Sequence, residues 1–233
     1  MRQQRIDELT RRDHYFLSED DVCYFFGEYS ARNGRTFSDT NELTVNLSMP
    51  AKYRGTSKWA RKERAVHRVA QMFRAAFAED QIGNITFVPL PSHPKERPEY
   101  EDRMRSVVRA IGSGIEIPEI PDYDDRMGAV LHAMGSGLDV RAMIEMIPTP
   151  EAIDLSSLRM GPDALFSNMR VVQALLAPEP RVILLVADML VTGANFVAAK
   201  RRLHQLIPKV PVHGLFAARK LLETDEFDDP ARY

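Results

Sequence analysis

The stretch Arg181–Lys200, RVILLVADMLVTGANFVAAK, decides the reading of this chain. Val182 to Val186 form an apolar run suited to a strand. Ala187 and Asp188 follow, then Met189, Leu190 and a Val191-Thr192-Gly193-Ala194-Asn195 turn. A helical segment is expected from about Asn195 to Ile207, and VPVHGLFAAR reads as the next strand. Strand, helix and strand in succession predict a right-handed parallel crossover, so a parallel sheet is expected rather than a sandwich.

Working outward, NITFVPLP from Asn84 reads as a buried strand stopped by Pro89 and Pro91. The region before it reads as mostly helical. SEDDVCYFFGEYSARNG predicts a helix capped at Ser18, with Glu19, Asp20 and Asp21 in its first turn and an end near Asn33-Gly34. A second helix is expected from Ser57 to about Asp80, burying Ala65, Val66, Val69, Met72, Phe73, Ala76 and Phe77 at i, i+3, i+4 spacing. Between them, LTVNL reads as a short strand in a loop. The organisation expected is a mainly helical N-terminal region at 1–80, an α/β domain at 81–222 and an acidic tail at 223–233. The fold class is α/β, a parallel twisted sheet flanked by helices with a helical N-terminal extension.

Residues 98–120, PEYEDRMRSVVRAIGSGIEIPEI, align without gaps to residues 121–143, PDYDDRMGAVLHAMGSGLDVRAM. Each copy carries an apolar helix face that a GSG then ends. Either the two copies are helix-turn units packed on the sheet, or Asp102-Arg103 and Asp125-Arg126 both face a site.

Bulk properties narrow the function classes. The chain has 233 residues with 44% hydrophobic and 27% charged, the composition of an ordinary globular protein. Lys+Arg 31 against Asp+Glu 33 leaves a net charge of -2, so nucleic acid is not an expected partner from net charge. The basic segment KWARKERAVHR at 58–68 reads as a solvated helix face, with contact to nucleic acid or an acidic partner as the alternative. Trp59 and Phe73 read as core. Cys23 is the single cysteine, which excludes an internal disulfide and a cysteine-rich zinc site. His67, His132, His204 and His213 show no metal-ligand spacing. No apolar run approaches the roughly 20 residues of a membrane helix, so no membrane is expected and the location expected is cytoplasmic.

An acid at a strand's end, a small-residue turn and a helix together suit a sugar phosphate. The first N–H groups of a helix are unpaired, and the helix dipole adds positive charge there. Gly193 permits close backbone approach, Thr192 offers a hydroxyl, and Asp188 can bind ribose hydroxyls or a metal ion. ILLV-AD-ML-VTGAN, Ile183 to Asn195, resembles the signature of type I phosphoribosyltransferases, in which an apolar strand leads to two acids, two apolar residues and a threonine-glycine loop. Ala187 replaces the first acid, Val191 the first threonine and Asn195 the last hydroxyl residue of that pattern.

FVPLPSHPKERPEYEDRM, residues 87–104, is similar to the first half of the ComF-type members, where a strand and a proline-rich turn lead into a basic segment. DLSSLRMGPDALFSNMRV, with Arg159, Asn168 and Arg170, resembles the segment before the final signature strand. The resemblance covers roughly residues 84–218 and does not extend to residues 1–80. It implies the type I phosphoribosyltransferase fold and binding of phosphoribosyl pyrophosphate or a nucleotide. It further implies Mg²⁺-dependent transfer of phosphoribose to or from a nucleobase-like acceptor. Thr192, Gly193, Ala194 and Asn195 would then bind the 5-phosphate. Ser92, His93, Lys95, Arg97 and Arg103 would bind pyrophosphate, and Asp188 would serve catalysis or Mg²⁺. The alternative is a non-catalytic nucleotide sensor or scaffold subunit, docking a protein partner or a second copy through the N-terminal helices. A hydrolase of the α/β type lacks support, since no G-x-S-x-G turn occurs.

Overall fold

The computed structural model describes residues 1–91, 126–147 and 161–222. Its main sheet has six strands in the order β1-β2-β8-β7-β3-β4. These are β1 Gln4–Arg5, β2 Cys23–Tyr29, β3 Ile85–Pro89, β4 Asp139–Val140, β7 Val182–Leu190 and β8 Val212–Lys220. β1 pairs antiparallel with β2, and every other pairing is parallel. A separate antiparallel pair joins β5 Ile144–Met146 to β6 Met169–Val171.

Two apolar clusters sandwich the main sheet. The first holds Phe196, Ala198, Ala199 and Leu203 of helix α7, Ala194–His204, against Ile183, Leu185 and Phe216. The second holds helices α2 Asp39–Leu47, α3 Trp59–Arg74 and α5 Arg126–Ala133 against Leu184, Val186 and Leu215. Helices α7 and α5 therefore lie on opposite faces. From β3 the chain leaves to β4 on one side and returns to β7 on the other, so the strand order reverses between β3 and β7. In open parallel sheets the crevice at such a reversal, beyond the strands' carboxyl ends, is where ligands bind.

The expected strand, helix and strand around Arg181 are all present, as are β3 and the start of the second helix. The GSG of the second repeat copy also ends α5 as expected, with Gly135 at φ 110° and Gly137 at φ 86°. Three elements differ from expectation. Ser18–Gly34 is not a helix: Asp21 turns back to accept from the N–H and Oγ of Ser18 at 2.8 and 2.9 Å, and Cys23–Tyr29 continues as β2. Aromatic residues favour that strand, which buries Phe25 on one face and Phe26 on the other. The sheet thus runs on into the first 80 residues, and the N-terminal extension contributes two strands beside its helices.

LTVNL is helix rather than strand, because Ser38 caps it by accepting from the Asn41 N–H at 3.0 Å and Asp39 and Glu42 favour the first turn. Gly27 lets α2 sit close: a Cβ there would come within 2.3 Å of Thr40 Oγ1. The helix from Ser57 ends at Arg74, and Glu79–Ile82 forms its own short helix α4. Phe73 is core as expected and stacks on Phe26, with ring centroids 5.6 Å apart. Trp59 is half-buried instead, flanked by Arg54 and by Lys62, whose buried ammonium donates to the Met49 carbonyl at 2.9 Å. Among the described residues, no helix is long and apolar enough to cross a membrane.

Candidate functional site

Alternation along β7 sorts the residues at its carboxyl end. Leu184 and Val186 face the second cluster, and Ile183 and Leu185 face the first. Continued by two residues, the pleat turns Ala187 toward the α7 side, where it packs on the first cluster. Asp188 points the other way, toward α5, and there forms an ion pair with Arg126 Nη1. The same Nη1 donates to Ser48 Oγ at 2.9 Å, just past the end of α2. Both charged side chains are largely enclosed, at 27% and 21% exposure, so their attraction is less screened than at an open surface. Arg126 belongs to the second copy of the repeat and meets Asp188, while its counterpart Arg103, like Asp102 and Asp125, lies outside the described residues.

The turn after β7 has a left-handed residue at its centre. Gly193 adopts φ 88°, ψ −8° and precedes the first turn of α7, a conformation strained for any residue with a Cβ. Space forbids one as well, since a Cβ would come 2.8 Å from the Leu17 side chain. Thr192 Oγ1 accepts from the Ala194 N–H at a long 3.4 Å. The N–H groups of Asn195 and Phe196 meet no acceptor among the described residues, as expected for helix starts. Asn195 Oδ1 is buried without a partner, and exchanging its oxygen and nitrogen would aim a donor there instead. Thr192, Gly193, Ala194 and Asn195 are thus brought together at one helix start.

Sequence reasoning missed what covers this turn. The Phe16 N–H donates to the Thr192 carbonyl at 3.1 Å, and the His14 ring bonds the Val191 carbonyl through Nδ1. His14 is fully buried, and that burial, helped by the charge of Arg219, holds its pKa below the ordinary 6.5. The neutral ring donates from Nδ1 and leaves Nε2 with no partner among the described residues. Behind it, buried Arg219 of β8 bonds Asp13 and Glu28 and fixes the N-terminal turn to the sheet edge. These contacts join residues far apart in sequence, 177 for His14 and Val191 and 206 for Asp13 and Arg219, so no local pattern announces them.

At the neighbouring strand end, the Leu90 N–H donates to the Val186 carbonyl at 2.9 Å, which keeps the chain beside β7 through Pro91. Ser92, His93, Lys95, Arg97 and Arg103 follow outside the described residues, as does Arg159. Arg170 is engaged elsewhere: it pairs with Glu145 across β5 and β6 at 2.7 Å.

The donor set at Asp188 does not fit a protein-built Mg²⁺ site, because the carboxylate meets a guanidinium where a second acid would be needed. Among the described residues, no group of three or more His, Cys, Asp or Glu side chains is placed to hold a metal ion. Comparison with protein-family profiles and with curated proteins gives no match to this sequence.

Proposed function

We propose that the protein is a type I phosphoribosyltransferase-like protein of the ComF kind, binding phosphoribosyl pyrophosphate or a nucleotide between the ends of β3 and β7. The observation that carries this reading is the reversal of strand order at β3 and β7, with Asp188 and the Thr192–Asn195 turn at its edge. The ligand's 5-phosphate takes the open N–H groups at the start of α7, where backbone donors and the helix dipole need little help from side chains. The ribose hydroxyls lie toward Asp188, and Arg126 is near enough to that carboxylate to neutralise phosphate charge as well. In transfer, the C1 bond to the leaving group breaks ahead of the bond to the acceptor. Asp188 then faces the positive charge that develops on the ring.

A single carboxylate makes this a weak catalyst. Loss of one charged hydrogen bond costs about 1.5–3 kcal/mol, roughly ten- to a hundredfold in rate. That observation, with Asp188 already neutralised by Arg126, favours a second reading: a nucleotide sensor or scaffold that binds without turnover. Calorimetric titration of phosphoribosyl pyrophosphate, with and without Mg²⁺, tests both on the intact protein, on Asp188→Asn and on Thr192→Ala. Binding weakened at least tenfold in both variants supports the site, and pyrophosphate release with any nucleobase then selects transfer. Absence of binding heat in the intact protein refutes both readings.

A further inference from the structure

On the α2 side of β7 lies a cavity of about 610 Å³ that the phosphoribosyl reading does not use. Its walls come almost wholly from the first 61 residues. Tyr29 at the end of β2, Thr44 and Ser48 around the end of α2, and Tyr53 of the following turn form three sides. Met189, next to Asp188, closes the base, and no residue of the 192–195 turn takes part.

The charge in these walls has one sign. Arg35, Lys58 and Arg61 line the cavity, and no acid does among the described residues. Arg35 is partly engaged, pairing with Glu42 at 2.8 Å outside the lining. Lys58 lies over the Tyr53 ring at 5.1 Å, a contact that leaves its N–H donors free for an anion. Among the described residues Lys58 and Arg61 form no ion pair, although Arg61, after the hydrogen bond and charge of Arg35, also helps to lower the pKa of the nearby Glu42 carboxylate, so Lys58 is the least engaged of the three. Three cations around one concave space raise the local concentration of anions, and Tyr29 offers a flat face with a polar edge, whereas the Tyr53 ring already carries Lys58 and, at 5.4 Å, Lys52. The volume falls within the roughly 300–1,000 Å³ of small-molecule sites.

We propose that this cavity binds a small planar ligand carrying a carboxylate or phosphate group. The ring rests against Tyr29, with Tyr53 at its margin, and its anionic group meets Lys58 and Arg61. Ser48 is shared with the Arg126 contact, so the occupant sits directly beside the Arg126–Asp188 pair. The proposal is independent of the phosphoribosyl reading and can stand or fall without it.

Three probes with one ring decide the matter by amide-resolved NMR titration of the full chain: phenyl phosphate, benzoate and neutral benzamide. Expected are saturable shifts at Tyr29, Thr44, Ser48 and Tyr53 with at least one anion, and none with benzamide. Lys58→Gln and Arg61→Gln, both at exposed positions where solvent screens the pairing, should each weaken binding about two- to fivefold. Preference for phenyl phosphate marks a phosphate-bearing ligand, and preference for benzoate a carboxylate-bearing one. The proposal is overturned by equal binding of benzamide, by affinity unchanged in both variants, by shifts confined to residues 191–196, or by no shifts at all.

Discussion

Gly193→Ala probes the turn most directly, because two separate penalties meet there. Placing a residue with a Cβ in the left-handed region costs roughly 1–2 kcal/mol. The added methyl also lies 2.8 Å from Leu17, which is 7% exposed and has little room to yield. Overpacking of that kind costs typically about 1–3 kcal/mol. Together the loss is about 2–5 kcal/mol, a fall in melting temperature of roughly 4–20 °C for a chain of this size. Urea denaturation of Gly193→Ala, Leu17→Ala and the double variant separates the two parts. Leu17→Ala alone should cost about 2–5 kcal/mol. In its background, Gly193→Ala should cost only the backbone part, about 1–2 kcal/mol. An equal cost in both backgrounds would refute the packing of the N-terminal turn on the candidate phosphate turn.

Other variants and conditions test the remaining arguments. Ala187→Asp does not restore a missing catalytic acid: it aims a carboxylate at the first apolar cluster, so it should destabilise by about 1–3 kcal/mol in urea melts without improving binding or turnover. Burial lowers the folded-state pKa of His14 and of His213, the latter aided by Lys200 and Arg5, so the unfolded chain binds more protons just below pH 6.5. Stability should therefore be full above that pH and decline as pH falls, and His14→Gln should flatten the slope of urea midpoint against pH. Cys23 is fully buried, and burial, with Asp21 nearby, pushes its thiol pKa far up. Iodoacetamide should leave it unmodified in the native protein and alkylate it in denaturant, measured by mass.

The parts of the fold that could be read from sequence were those whose signals are local. β7, α7 and β8 announced themselves because a buried apolar run, a glycine turn and a helix start adjoin. β2 did not, since Ser18 followed by three acids satisfies the rules for a helix start, and only its burial between β1 and β8 makes the following residues a strand. α2 was hidden by the reverse conflict: Leu43, Thr44 and Val45 suggest a strand, but the cap at Ser38 and packing against β2 and α3 decide for helix. The site divides likewise. Asp188 and the 192–195 turn are one contiguous motif, and the repeat drew notice to Arg126, whereas Ser48, His14 and Leu17 reach the site from other elements and carry no motif of their own.

The pairing of β2 with β8 joins the first long strand of the chain to the last, about 190 residues later. During synthesis at roughly 5–20 residues per second, β2 emerges some 10–40 s before its partner exists. Through that interval the segment CYFFGEY can pair with β1 and pack Phe26 against Phe73, but its edge destined for β8 has no partner. The protein thus completes its sheet only as its last strand arrives, and the nascent chain presents a sticky edge until then.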